Sequence, residues 1–306
     1  MADPQGANRG KRRRRWILAL ILLALLGTGF WFYKVYFVST DLAIRHAEAF
    51  SFRRMTVSQL AEQGEYRFFY ATNRRAGADA TVLEERFGPE REASLKFGSF
   101  DAEIQPSLGL GMLINPTEWF QNEEIRLRDV RSLDQADFVA RLRNKVQESP
   151  HRALLVVVHG FRERYPSALR KTAFLGHVLD INAPVLLFDW PGNQGSSLSG
   201  YRRARDVAIE SGAELAKTLE LVIREVQPER LWLIANSMGG QVVADAFSLL
   251  YQHADLADAQ PEIEDVVLTA PDVDHEQFDA QFKQEITALA KHLTVYVSSN
   301  CLLYTS

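Results

Sequence analysis

A serine lies where an apolar run meets a stretch of small residues, in Leu231-Trp232-Leu233-Ile234-Ala235-Asn236-Ser237-Met238-Gly239-Gly240. An apolar strand that leads into such a serine, with a helix to follow, is typical of a nucleophile elbow, a sharp turn that raises the serine oxygen above a sheet. Small residues two positions before and after the serine let the turn close, although Ala235 replaces the first glycine of the G-x-S-x-G pattern. Ser237 is therefore the candidate nucleophile.

A second polar segment, Val158-His159-Gly160-Phe161, follows another apolar strand. A glycine at this point lets the backbone turn so that the next N–H faces the site. We expect the N–H groups of Phe161 and Met238 to form an oxyanion hole, with His159 and Gly160 lining the site. In α/β hydrolases the catalytic residues follow one another along the chain as Ser, acid and His. His159 precedes Ser237, so we expect His159 to orient the loop and not to act as the base.

Two aspartates follow a third strand, in Ala270-Pro271-Asp272-Val273-Asp274. Either Asp272 or Asp274 is a candidate for the acid that orients a catalytic histidine, and either is equally suited to cap a helix. A residue just after Asn300 is a third possibility for the acid. His275 is an alternative base, but we expect the base to lie beyond residue 300.

A fourth strand end, Phe188-Asp189-Trp190-Pro191-Gly192, contributes Trp190, which either lines a substrate pocket or packs in the core. Asn236, beside the serine, is also expected to line the site. The sequence has no metal-ligand spacing and no phosphate-binding glycine loop, so we predict no metal and no cofactor. A net charge of −4 gives no reason to expect nucleic acid as a partner.

Apolar strands alternate with amphipathic helices from residue 132 onward, which predicts a mostly parallel sheet with helices on both faces. In such sheets the site lies at the carboxyl ends of the strands. A further strand is predicted over 66–71, and short strands with long loops over 73–122. The predicted strands are 153–158, 184–188, 231–234, 265–269 and 293–298, and the predicted helices are 132–148, 167–179, 201–226, 240–253 and 278–291.

The amino terminus carries a basic block at 11–15 and an uncharged, mostly apolar run at 16–33. At about 1.5 Å per residue, this run is long enough to cross a bilayer core of about 30 Å, with the basic block left in the cytoplasm. We therefore predict a cytoplasmic tail (1–15), a transmembrane signal-anchor (16–38), a juxtamembrane segment (39–64) and a catalytic domain (65–300) outside the cytoplasmic membrane. A cleaved signal peptide is the competing interpretation.

Residues 301–306, Cys301 to Ser306, do not continue the preceding pattern and resemble a translated sequencing-library adapter. We expect them to be an artefact, and we expect the domain to lack its natural tail. Cys301 is the single cysteine, so no disulfide framework is predicted.

Several segments together resemble the bacterial α/β hydrolases of the family named domain of unknown function 900. These segments, in chain order, are residues 68–74, 158–161, 188–191, 234–239, 270–274 and 296–300. The resemblance covers 66–300 and implies an α/β-hydrolase fold with Ser237 as nucleophile. Family members commonly have His in place of Asn236, and they continue past the last segment with an aspartate and later a histidine.

The combined expectation is a membrane-anchored serine hydrolase, a carboxylesterase or lipase-like enzyme whose partner is a small-molecule or lipid ester. The alternative is a catalytically silent protein of the same fold that serves as a membrane-tethered binding or scaffolding module.

Overall fold

A computed structural model describes residues 4–33, 55–60, 64–104, 125–253 and 262–297. They belong to two compact units, one with helix α1 and one with the sheet. Most of the predicted juxtamembrane segment lies outside the described residues. So do residues 298–306, which include the predicted acid position after Asn300 and the predicted artefact.

Helix α1 (Pro4–Tyr33) contains both the basic block and the apolar run. The described side chains of this helix, at 16–31, are all exposed. Within the described part of the chain, no helix is both long enough and apolar enough to span a membrane.

The second unit is built on a sheet in the order β3-β2-β1-β6-β5-β7-β8-β9, with β4 paired to β2. Six strands, β1, β6, β5, β7, β8 and β9, run parallel, and β2 runs antiparallel to β1, β3 and β4. The prediction of a mostly parallel sheet is confirmed. The strands are β1 (Glu65–Ala76), β2 (Phe87–Ile104), β3 (Ile125–Leu127), β4 (Arg131–Leu133), β5 (Ala153–Val158), β6 (Val185–Asp189), β7 (Arg230–Asn236), β8 (Ile263–Thr269) and β9 (Ala290–Tyr296).

Helices connect the parallel strands, and each helix predicted after residue 132 is present with its ends shifted by a few residues. They are α2 (Gln135–Glu148), α3 (Tyr165–Leu179), α4 (Leu198–Leu221) continued by a π-helix (Val222–Val226), α5 (Gly239–Leu250), α6 (His275–Gln277), a second π-helix (Phe278–Phe282) and α7 (Lys283–Leu289). A short 3-10 helix, Leu83–Glu85, precedes β2.

The core follows from the alternation of side chains along the strands. On one face, Leu154, Val156 and Val158 of β5 join the buried side chains of α2, α4 and α5 in one apolar cluster. On the other face, α3 approaches so closely that a Cβ on Gly176 would lie 3.1 Å from the Phe68 ring. Helices thus cover both faces, and the connecting loops are left at the carboxyl edge of the sheet.

The prediction of short strands and long loops over 73–122 is wrong for residues 87–104, which form the long strand β2. Charges and glycines hide its alternation in the sequence, because the first part of the strand is solvent-accessible and its charges pair locally, as Lys96 does with Glu92. Shifts in the β1–β2 register on both sides of Arg74 disturb the pattern further. Residues 105–124 lie outside the described residues.

Candidate active site

Ser237 lies in the sharp turn between β7 and α5, with a backbone φ of 51°. Positive φ in a non-glycine residue is uncommon and strained. The Ser237 N–H donates to Thr269 O (2.9 Å), and Ser237 O accepts from the N–H groups of Gly240 (2.9 Å) and Asp272 (3.0 Å). Ser237 thus lies at the sharp strand-to-helix turn that the sequence predicts.

Two further loops at the same edge of the sheet contain non-glycine residues with positive φ: Arg162 (67°) after β5 and Ala270 (44°) after β8. Together with Ser237, they place backbone strain at the ends of three parallel strands. Such strain is often found at functional sites, where the surrounding structure holds it in place.

The β5 loop lies directly against the elbow. A Cβ on Gly160 would be 3.1 Å from the Ser237 Cβ, and a Cβ on Gly239 would be 2.5 Å from His159 O. Gly239 is therefore needed for the close approach of the two segments, and a Cβ at Gly160 would force its neighbours to shift by a few tenths of an ångström. The N–H groups of Phe161 and Met238 have no hydrogen-bond acceptor among the described residues. Two free donors next to a strained serine are the arrangement that an oxyanion hole requires.

His159 is buried, and both of its ring nitrogens lie near acceptors. Its Nδ1 is 2.9 Å from Gly160 O, and its Nε2 is 3.0 Å from Asp189 Oδ1. The ring also stacks on Trp190, which is fully buried and donates from its indole N–H to His159 O (2.8 Å). Trp190 therefore lies in the core, and the contacts of the His159 ring are with Gly160, Asp189 and Trp190, whose backbone N–H lies 3.2 Å from Nε2.

Asp272 lies beside the elbow and accepts from the Tyr201 hydroxyl at both carboxylate oxygens, at 2.9 and 2.8 Å. The Tyr201 ring in turn makes an edge contact with Phe161, the residue expected to provide an oxyanion donor. Tyr201 thus links the acid candidate to the β5 loop.

Asp274 is exposed and caps α6, accepting from the Gln277 N–H at 2.9 Å. Of the two roles that the sequence allowed for Asp274, catalytic acid or helix cap, this contact is that of a helix cap. His275 is three-quarters exposed and lies 3.6 Å from Asp279 Oδ2, and His292 is exposed on β9. Among the described residues, no histidine is hydrogen-bonded to the Ser237 hydroxyl.

The family described as alpha/beta hydrolase of unknown function (DUF900) matches residues 134–301, more than half of the 306-residue chain. The chain belongs to this family. The resemblance inferred from the sequence is thereby confirmed, together with the α/β-hydrolase fold, and membership supports a hydrolase-like function. A comparison with curated proteins found no match.

The DUF900 match contains Ser237, the β5 loop and Asp272, whereas β1 and β2 precede it. Asn236 lies directly before Ser237. Its side chain is exposed and donates from Nδ2 to Thr269 Oγ1 (3.1 Å), which ties the end of β7 to the end of β8.

A buried ion pair, which the sequence pattern did not predict, lies beside His159. Arg74 Nε lies 2.8 Å from Asp189 Oδ2, and the two side chains are 2% and 0% exposed. Burial alone raises the pKa of the Asp189 carboxyl, but the Arg74 charge and the hydrogen bonds from His159 and Arg74 bring the pKa below its usual value. The available signal was two opposite charges near the carboxyl ends of two apolar strands, β1 and β6, since such charges are rarely buried unless paired.

A cavity of about 360 Å³ lies between the β1–β2 hairpin and the start of α3. It is lined by Arg74, Phe87, Tyr165 and Asn193 among others, and Ser237 is not one of its lining residues. We therefore do not place a reacting ester in it. In the described part of this DUF900 chain, no cluster of three or more His, Cys, Asp or Glu residues could hold a metal ion.

Proposed function

We propose that this chain is a serine hydrolase that acts on carboxylic esters, with Ser237 as nucleophile. The observation that carries the proposal is the strained Ser237 backbone at the strand-to-helix turn, next to two N–H groups without acceptors. Membership in an α/β-hydrolase family supports the broader hydrolase assignment.

In this mechanism, Ser237 Oγ attacks the ester carbonyl carbon while a base removes the hydroxyl proton. The carbonyl oxygen becomes an oxyanion and accepts hydrogen bonds from the Phe161 and Met238 N–H groups. The bond to the alcohol oxygen then breaks, and the alcohol leaves with the proton. Water, deprotonated by the same base, attacks the acyl group on Ser237 and releases the acid.

The acid proposed here is Asp272, because its own N–H donates to Ser237 O and its carboxylate is held by Tyr201. Asp274 is the weaker candidate, because it is exposed and engaged in capping α6. The role of base is not filled by any histidine contact in the described residues. The second candidate function is a silent hydrolase-fold module that binds a partner.

We further propose that α1 anchors the protein in the cytoplasmic membrane, with the sheet unit on the outer side. The proposal rests on the sequence of the helix, a basic block followed by apolar residues, and on the exposure of those apolar side chains, such as 72% for Leu23. A lipid or envelope-associated ester is the substrate class that this location suggests.

The test of the esterase assignment is hydrolysis of short-chain p-nitrophenyl esters by the full chain, with and without added imidazole. Free imidazole can replace a base that is not in contact with Ser237. We expect low turnover without imidazole and a clear increase with it. Because free imidazole hydrolyses p-nitrophenyl esters by itself, the rate without protein is subtracted at the same imidazole concentration. Ser237→Ala should abolish both corrected rates, whereas the matched variant Ser196→Ala, an exposed serine in the loop after β6, should leave both unchanged. A corrected rate that survives Ser237→Ala would refute the assignment, and no corrected turnover under either condition would favour the binding module.

A further inference from the structure

The oxyanion hole proposed above requires that the Phe161 N–H point at the substrate carbonyl. This N–H belongs to the Gly160–Phe161 peptide bond, whose other polar end is Gly160 O. Because the peptide is planar and trans, fixing the carbonyl direction also fixes the N–H direction. The partner that fixes Gly160 O is His159 Nδ1, at 2.9 Å.

The His159 ring is itself held by a fully buried carboxylate. Asp189 Oδ1 lies 3.0 Å from His159 Nε2, while Asp189 Oδ2 accepts from Thr72 Oγ1 at 2.8 Å. The ring donates to Gly160 O and to Asp189 together only when both ring nitrogens carry a proton; with the proton on Nδ1 alone, Nε2 instead accepts from the Trp190 N–H (3.2 Å). The carboxylate is therefore bound on both oxygens, and the imidazole position depends on where Asp189 is placed.

Arg74 contacts Asp189 and both loops around the ring. Its Nε donates to Asp189 Oδ2 (2.8 Å), and its Nη2 donates to Trp190 O (2.7 Å) and to Glu163 O (2.9 Å). Glu163 lies in the β5 loop and Trp190 in the β6 loop. One planar guanidinium thus joins the end of β1 to the two loops that surround the oxyanion peptide.

We propose that Arg74 is a positioning residue for the oxyanion hole, acting through Asp189 and His159 on the Gly160–Phe161 peptide. This inference rests on the proposed function, and it adds β1, which lies outside the family match, to the machinery of the site. Arg74 does not contact the reacting atoms in this scheme. Its effect is to keep the Phe161 N–H pointed at the substrate carbonyl oxygen.

A matched control exists in the same sheet. Arg91 on β2 binds the buried carboxylate of Glu214 with two nitrogens, Nε at 2.8 Å and Nη2 at 3.0 Å. Glu214 also accepts from Asn73 (3.1 Å) on the face of β1 toward α4. Arg91→Lys therefore disturbs a comparable arginine–carboxylate pair without touching the β5 or β6 loop.

The experiment compares the wild-type full chain, Arg74→Lys and Arg91→Lys with imidazole present, using an ester and its thionoester analogue. Each rate is corrected for hydrolysis by imidazole without protein. Lysine carries its charge on one nitrogen and cannot keep the three contacts of the guanidinium. Misalignment of an oxyanion donor should lower kcat for the ester by about 10- to 100-fold, with KM nearly unchanged. The thionoester should lose much less, because sulfur accepts hydrogen bonds poorly. Arg91→Lys should keep both rates near wild type.

A second readout does not depend on turnover. The Arg162 N–H donates to Gly192 O (2.9 Å), a bond that joins the two loops. Hydrogen exchange in the peptide 159–164 should therefore be faster in Arg74→Lys and unchanged in Arg91→Lys. His159→Phe, which keeps a ring beside Trp190 but cannot bind Gly160 O, should reproduce the loss for the ester if Arg74→Lys does not fold.

The outcomes separate the two proposals. Loss of all dependence on Ser237 would overturn the hydrolase assignment, and the exchange measurement would still judge the role of Arg74. The other outcome is activity that depends on Ser237, with Arg74→Lys equal to Arg91→Lys both in the ratio of ester to thionoester rates and in hydrogen exchange. This result would refute the positioning role of Arg74 and leave the hydrolase assignment in place.

Discussion

Ala270 adopts a left-handed backbone conformation, with φ at 44°, directly after β8, and its N–H donates to Tyr296 O (2.7 Å). A Cβ in this conformation costs about 1–2 kcal/mol, which glycine does not incur. We expect Ala270→Gly to stabilise the protein by about 1 kcal/mol or less, because glycine also gains freedom in the unfolded chain. Chemical denaturation measures this change in the free energy of unfolding.

The control for this prediction is the same substitution at Ala140, an exposed position in α2. In a regular helix, glycine should destabilise by about 1 kcal/mol. Opposite signs at the two positions are expected, and destabilisation at both would contradict the assignment of strain to Ala270.

Individual site residues were predictable to different degrees. Ser237, Phe161 and Met238 follow from a local pattern, because an elbow and a glycine turn are specified by neighbours in the sequence. The contacts of Asp189 with Arg74, and of Asp272 with Tyr201, join residues 115 and 71 positions apart. Such pairings depend on which strands and helices become neighbours, and one sequence does not specify that.

The contact between α4 and α5 is close, since a Cβ on Gly212 would lie 2.6 Å from the Cβ of Asp245. Burial raises the pKa of Asp245 to about 6, with Gln241 and Arg205 lowering it and Glu285 raising it. Because this pKa exceeds that of an unfolded aspartate, about 3.9, the folded state binds the proton more tightly. The contribution of Asp245 to stability is therefore present below about pH 4 and is lost as the pH rises through 6.

Asp245→Asn removes this titration while keeping an oxygen that accepts from Gln241 Nε2, which lies 2.7 Å from Asp245 Oδ2. We expect the variant to have a higher Tm than wild type at pH 7 and little difference at pH 4, as measured by thermal unfolding. Asp206→Asn, on an exposed part of α4, serves as the control and should show no such difference. A Tm that is equal to wild type at pH 7 would contradict the role given to burial.

At the level of elements, the alternation of apolar strands and amphipathic helices after residue 132 was enough to predict the parallel sheet. Parallel strands are buried on both faces, so they appear in the sequence as continuous apolar runs such as Leu154-Leu155-Val156-Val157-Val158. The antiparallel strand β2 has no such run, because half of its length carries solvent-accessible charges. Its pairing with β1 is set by tertiary contacts.

For the whole molecule, the proposed anchor can be tested by fractionation. The full chain should remain with membranes after a high-salt wash, and Leu22→Arg with Leu26→Arg should release it, because two charges in the apolar run oppose insertion. Leu198→Arg, at an exposed leucine of the sheet unit, is the matched control and should stay bound. Release of the unmodified chain by salt would contradict the proposed anchor.

The central claim is that Ser237 is a nucleophile in a preformed oxyanion hole. The most direct measurement is mass-spectrometric mapping of the adduct formed when the native full chain reacts with a fluorophosphonate in the presence of imidazole. We predict one adduct, on Ser237, that is lost when the protein is denatured before labelling. An unlabelled Ser237, or labelling spread over other serines such as Ser196, would contradict the claim.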